Sequence, residues 1–299
     1  MITVELFKLS RRMRTWFSIA LICALPLVVA IFIAVTHLAP PPGQGSAFLS
    51  AVLDDGQLYP AAALALVLPV FLPVAVAVVA GDSIAGEASA GTLRYLLARP
   101  VGRTRLLVAK LVAVISFTLA AVIAVTVTSY ATGVLILGPS RASAVGFAPG
   151  GTSGSIAPGA GGAPTAGLQA GAAITSLSGT PLTTLQLLER VLGAMSFITV
   201  SMLGVAAIAI FLSTITDSPL AAALGALATL VGSEILVTLN AASVVQPYLP
   251  TRYWLAWIDF FRQPILWRDI QRGFGIQLVY MIVFLGAAWA NFATRDITT

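Results

Sequence analysis

Six stretches of this chain are too long and too poor in charge to serve as the interior helices of a soluble domain. They fall at about 16–37, 60–80, 107–130, 191–212, 219–239 and 274–293. About 20 apolar residues in helical form cross the hydrocarbon core of a bilayer. Of the 299 residues, 58% are hydrophobic and 9% charged, where a soluble domain carries about 25% charged residues. Too few polar groups remain to clothe a soluble surface. The expected fold is an all-α integral membrane protein, with six transmembrane helices packed as a single domain over residues 1–299. The first apolar stretch, Trp16–Leu38, exceeds the 7–15 residues of a secretory signal core. No small-x-small cleavage pattern follows it, so it is expected to be retained as a span.

Residues 2–14 read "ITVELFKLSRRMR". Ile2, Leu6, Leu9 and Met13 share one helical face, and Glu5, Lys8, Arg11 and Arg12 share the other. Such a helix lies along the membrane surface with its cations among anionic lipid headgroups. With six spans both termini lie on one side. Cytoplasmic segments carry the excess of Lys and Arg, which places both termini in the cytoplasm of a multi-pass cell-membrane protein. Ten basic residues then lie inside and six outside. Arg252, Arg262, Arg268 and Arg272 run against the rule.

Within the second span, Pro69 and Pro73 stand one turn apart. Each lacks a backbone donor and crowds the preceding turn, so a kink is expected there, facing a cavity or a neighbouring helix. Glu234 is the one ionisable residue inside an expected span, which makes it a candidate for the transport pathway. The fifth span carries small residues in rows, Ala221–Gly225–Thr229 and Ala228–Gly232, suited to close helix packing within or between subunits. Residues 138–182 are rich in Gly, Ala, Ser, Thr and Pro and are expected to form a flexible external loop. Residues 240–273 mix Trp and Phe with Arg and Asp, and are expected to form external interfacial or re-entrant helices.

Several chemistries lack their residues. The chain has one cysteine, Cys23, and one histidine, His37, so neither a disulfide nor a Cys/His metal cage is expected. Its lysines are Lys8 and Lys110, and neither sits in GxxxxGK[ST], the phosphate-binding loop of an ATPase. No catalytic, metal or nucleic-acid site is expected in this chain.

Between the second and third spans runs "GDSIAGEASAGTLRYLLARPVGRTRLLVAK", Gly81 to Lys110. Ile84, Ala88, Leu93, Leu96 and Leu97 give it an apolar surface. Glu87 and Arg94 share another face, Gly86 and Gly91 weaken the helix, and Pro100 ends it. A cytoplasmic helix of this kind, at 81–106, suits either a soluble partner or the lipid surface.

This segment resembles the linker of ABC-2 type transporter permeases, in which E-x-x-x-G-T-L precedes an apolar pair, a Pro, a basic residue and a Lys opening the next span. The matching positions are Glu87, Gly91, Thr92, Leu93, Leu96, Leu97, Pro100, Arg103 and Lys110. The resemblance implies a permease subunit with an N-terminal elbow helix and a cytoplasmic coupling helix near Gly86–Leu97. It implies two separate ATP-binding subunits, which hold the ATP and Mg, and a second permease subunit, identical or paralogous. It also implies membrane lipids as partners and an exporter, in a family that moves drugs, lipids, lantibiotics or ions. The apolar, Pro-kinked second span favours a hydrophobic or amphipathic cargo (drug, lipid or peptide) over a small ion. Pro69, Pro73 and Glu234 are the candidate pathway residues. The competing reading is a membrane anchoring or assembly subunit that transports nothing.

Overall fold

The structure, a computed structural model, describes residues 2–36, 56–91, 103–137, 174–175, 181–239 and 242–294. Eight α-helices account for most of them: α1 Ile2–Arg11, α2 Met13–Thr36, α3 Tyr59–Val67, α4 Phe71–Ser89, α5 Arg103–Thr132, α6 Thr184–Ile215, α7 Pro219–Thr238 and α8 Trp267–Thr294. A π-helical turn, Gly133–Leu137, extends α5, and short 3-10 helices cover Gln246–Tyr248 and Trp254–Phe261. A two-residue antiparallel pair joins Ile174–Thr175 to Pro181–Leu182. Six helices are long and apolar enough to cross a membrane, so the all-helical six-span architecture holds.

The spans differ from their sequence boundaries where polar turns project beyond an apolar run. Helix α6 begins seven residues earlier than expected, at Thr184. Thr183 Oγ1 accepts from the Gln186 backbone N–H at 3.3 Å, and Gln186 Oε1 accepts from the Thr183 N–H at 3.1 Å. This reciprocal box satisfies two donors that a helix start otherwise leaves bare. Helix α8 also starts early, at Trp267, and takes Arg268, Asp269 and Arg272 into its first turns. Helix α7 starts at Pro219 behind a Ser218 cap, as the sequence suggests.

The proline pair splits the second span instead of bending it. Helix α3 stops at Val67 and α4 begins at Phe71. Pro69 and Pro73 together remove two donors from adjacent turns, which is more than a continuous ladder tolerates. The chain resumes at once: Leu68 N–H still donates to Leu64 O at 2.9 Å, and Val74 N–H to Val70 O at 3.1 Å. Helix α4 then runs to Ser89, nine residues past the expected end of the span. Residues 81–89 therefore continue the span helix and do not form a separate amphipathic one.

Helix α6 is the central post. In its apolar window 67% of residues are buried, against 17% in α2 and in α8. It packs on α4, α7, α8 and the Trp254–Phe261 turns. Small residues permit this: Ala206, Ala207 and Ala209 are buried, and Gly204 lies against the Gln277 side chain of α8. Residues 246–261 reach down beside the bundle. Thr251 bonds Ser233 of α7 at 2.8 Å, and Gln277 Nε2 donates to Pro250 O at 2.7 Å. Gln277 lies about 15 Å along α8 from Trp267. In the small-residue rows of α7, Ala221, Ala228 and Thr229 are exposed, while Gly225 and Gly232 are half-buried, Gly225 against Leu212 of α6. Ala222, Ala226 and Leu230 make the contact inside the subunit.

Candidate functional site

Two regions concentrate polar chemistry in this apolar chain. They lie at opposite ends of the bundle, because α8 starts beside one and ends beside the other. Near its C-terminus Trp289 Nε1 donates to Thr104 Oγ1 at 3.1 Å, and Asn291 Nδ2 donates to Thr214 O at 3.1 Å. Near its N-terminus Trp267 packs edge-on against Phe260.

The first region is an ion-pair cluster where α1, the end of α4 and the start of α5 meet. Lys110 Nζ lies 2.7 Å from Glu87 Oε2 and 3.9 Å from Glu5 Oε2. Lys8 Nζ lies 3.0 Å from Glu5 Oε1 and 3.4 Å from Glu87 Oε1. Two cations alternate with two carboxylates, so the group is neutral. Lys110 also donates to the Ser83 carbonyl at 2.5 Å. The Lys110 side chain is 3% exposed and that of Glu87 8%. Alongside, Arg12 Nη1 lies 2.7 Å from Asp82 Oδ2. Buried charges survive only when paired and hydrogen-bonded, and each of these is.

The same turn of α4 receives a side chain from α6. Ser213 Oγ donates to Gly81 O at 2.7 Å and accepts from Ala85 N–H at 2.8 Å and Ile84 N–H at 3.2 Å. One hydroxyl from α6 thus bonds three backbone groups of this turn. Gly81 also lets α7 approach. A Cβ there would lie 3.0 Å from Ala223 N and 3.2 Å from Pro219 O. Four elements thus converge on residues 81–87.

The linker residues distribute as follows. Glu87 is buried in the cluster, paired with Lys110 of α5 and Lys8 of α1. Gly91 adopts φ +69°, a conformation open to glycine without a Cβ penalty, and it ends α4 rather than weakening it. Its N–H donates to Ala88 O at 3.0 Å. Arg103 opens α5. Thr92, Leu93, Leu96, Leu97 and Pro100, and Arg94 with them, lie outside the described residues. Lys8, Asp82 and Ser213 were not singled out in sequence for this site. The sequence offered only the scarcity of lysine, since the chain has two; that both bind the same glutamate is seen only in the structure.

The pKa of Lys8 is raised. Burial pushes it down, but hydrogen bonds and charge from Glu5 and Glu87 outweigh that. A raised lysine stabilises the fold fully below its unfolded value, and the contribution is lost as pH rises through the folded value. The difference in thermal midpoint between the native chain and Lys8→Met should therefore stay constant below the ordinary value of 10.5 and close above it. Midpoints measured against pH in detergent check this; a gap that closes near neutrality would refute it.

The second region is a groove of about 640 Å³ between α4, α7 and residues 251–255. It brings Pro69, Pro73 and Glu234 onto one surface, with Leu230, Val231 and Trp254. The break between α3 and α4 forms one wall. Glu234 is exposed and lies on this otherwise apolar wall.

Six helices of membrane-crossing length and apolarity, with an N-terminal helix locked to the second and third spans, define a multi-pass membrane protein. Residues 1–147 match the family model described as ABC-2 family transporter protein. The match covers the elbow helix, the ion-pair cluster and the linker, and it supports an ABC-2 type permease, the family that the linker resembles. Comparison with curated proteins found no match.

Proposed function

We propose that this chain is the permease subunit of an ABC exporter, working with two separate ATP-binding subunits and a second permease subunit in the cell membrane. The observation that carries this reading is the Glu87–Lys110 pair, held 2.7 Å apart in a cluster with the elbow helix. It clamps both roots of the 92–102 linker, so a push on the linker is delivered to the second and third spans together. The elbow helix moves with them through Lys8 and Arg12. The linker faces the cytoplasm and seats in the ATP-binding partner, which supplies the ATP and Mg chemistry. The exposed small residues of α7, Ala221, Ala228 and Thr229, suit the second permease.

The cargo is a hydrophobic or amphipathic compound. An apolar groove of about 640 Å³ lies within the 300–1,000 Å³ typical of small-molecule sites, and it holds all three pathway candidates.

Leu93→Glu tests the coupling without touching the buried cluster. In proteoliposomes with the ATP-binding partner, ATPase activity stimulated by the permease and ATP-driven efflux of a lipophilic dye should both fall at least ~10-fold, as expected when a docking anchor is lost. Unchanged coupled activity would count against the reading. A complex that forms and hydrolyses ATP but moves nothing would favour the anchoring role.

A further inference from the structure

The arginines that run against the charge rule have a place in the structure. Arg252, Arg262 and Arg272 line a second, polar hollow of about 380 Å³, with Asp259 and Asp269. It adjoins the apolar groove, and Arg252 and Leu255 line both. An apolar trough that opens through one arginine into a charged vestibule has the layout of an amphiphile.

The sign of the head follows from the groups left over. Arg262 is committed to Asp259 at 3.1 Å. Asp269 sits in the first turn of α8, where the helix N-terminus stabilises a carboxylate. Burial raises the pKa of Asp259, Arg262 opposes that, and Asp269 adds to it. Among the described residues, Arg252 and Arg272 have no carboxylate within ion-pair distance. The Trp254 indole lines the adjoining groove, beside Arg252. Two unpaired guanidiniums ask for an acceptor with negative charge. Glu234 stands on the apolar wall and disfavours an acidic group placed deep in the groove.

We propose that groove and vestibule together bind an amphiphile with an anionic, phosphate-type head, its head at Arg252 and Arg272 and its chain past Trp254 along Pro73, Leu230 and Val231. The site rests on the permease reading for its role as a cargo or cargo-entry site, but its occupancy can be measured without ATP or a partner. It also accounts for these arginines at the end of the bundle remote from Lys8 and Arg12: they serve a ligand, not topology.

The test uses the full chain in phosphatidylcholine nanodiscs, with 4,5-dibromododecyl phosphate as a quencher of tryptophan fluorescence. The trimethylammonium and maltoside compounds of the same chain are the comparators, and Trp254→Phe identifies the reporter. The phosphate should quench at a concentration at least ~10-fold below the ammonium, the scale of a charged-group contact. Arg252→Gln with Arg272→Gln should erase that preference. Glu234→Gln should keep or sharpen it. Both arginines are exposed, and an unchanged thermal midpoint verifies the fold. Equal quenching by the three heads, or a preference that survives in the double variant, overturns the site. Inorganic phosphate should not compete; competition by phosphate alone would reduce the site to an ion contact and also overturn it. Doping the discs with diacyl phosphatidate distinguishes two sources of the same chemistry. Competition assigns the site to bilayer lipid and its absence to a single-chain compound, and both outcomes support an anionic amphiphile. Binding without ATP-driven transport would sink the permease reading and leave this site standing; transport without head preference would do the reverse.

Discussion

Lys110→Met should destabilise the chain by about 3–5 kcal/mol, the range for breaking one side of a buried pair. The side chain is 3% exposed and faces Glu87 and Glu5. Methionine fills much of the volume but takes from Glu87 its closer cation, and Lys8 stands at 3.4 Å. The Ser83 carbonyl also loses its donor. The companion variant separates charge from packing. Lys110→Met with Glu87→Leu removes both ions, and a buried pair exchanged for apolar residues of similar size is often neutral. The double variant should therefore recover most of the loss, while Lys8 keeps Glu5 at 3.0 Å. Thermal unfolding in detergent reads both. A single variant within about 1 kcal/mol of the native chain would show that the cluster is solvated and worth no more than a surface pair.

Gly81→Leu is the second large effect. The site has no room on the α7 side, since even a Cβ would meet Ala223 N at 3.0 Å and Pro219 O at 3.2 Å. These are backbone atoms and cannot rotate away. Overpacking a filled interior costs about 1–3 kcal/mol and occasionally more; leucine here belongs at the upper end because its branch must enter between two helices. Gly81→Ala places only the Cβ and should cost about 1 kcal/mol. A leucine variant as stable as the alanine variant would mean that α4 and α7 separate freely at this point.

Much of the architecture was legible because a bilayer demands long apolar runs and little else. The α7 start was readable from Ser218 and Pro219. The α6 start was not, because an apolar criterion ignores the Thr183–Gln186 box that carries the helix into polar sequence. Helix α8 begins in an aromatic and charged stretch for the same reason. The candidate site was legible only in part. A helical wheel sets Glu87 beside Arg94, but its partner Lys110 lies 23 residues on, across a linker and on another helix. That pairing is a property of how α4 and α5 pack. Pro69, Pro73 and Glu234 were each readable singly, from a missing donor or a costly charge. Their meeting on one wall depends on α4 lying against α7, which no local pattern encodes. Ser213 carried no signal at all, since a serine in an apolar helix is unremarkable until its neighbour is known.

That serine has a mechanical consequence. The hydroxyl bonds both Gly81 O and Ala85 N–H, so this turn of α4 holds bonds to α6 that it can exchange. If the turn withdraws from α6, the two backbone groups are partners within α4, and Ser213 can turn back to a carbonyl of its own helix, as buried serines commonly do. No polar group is stranded on either side of that move. The contact works as a latch with two satisfied positions, set where the linker's roots enter the bundle.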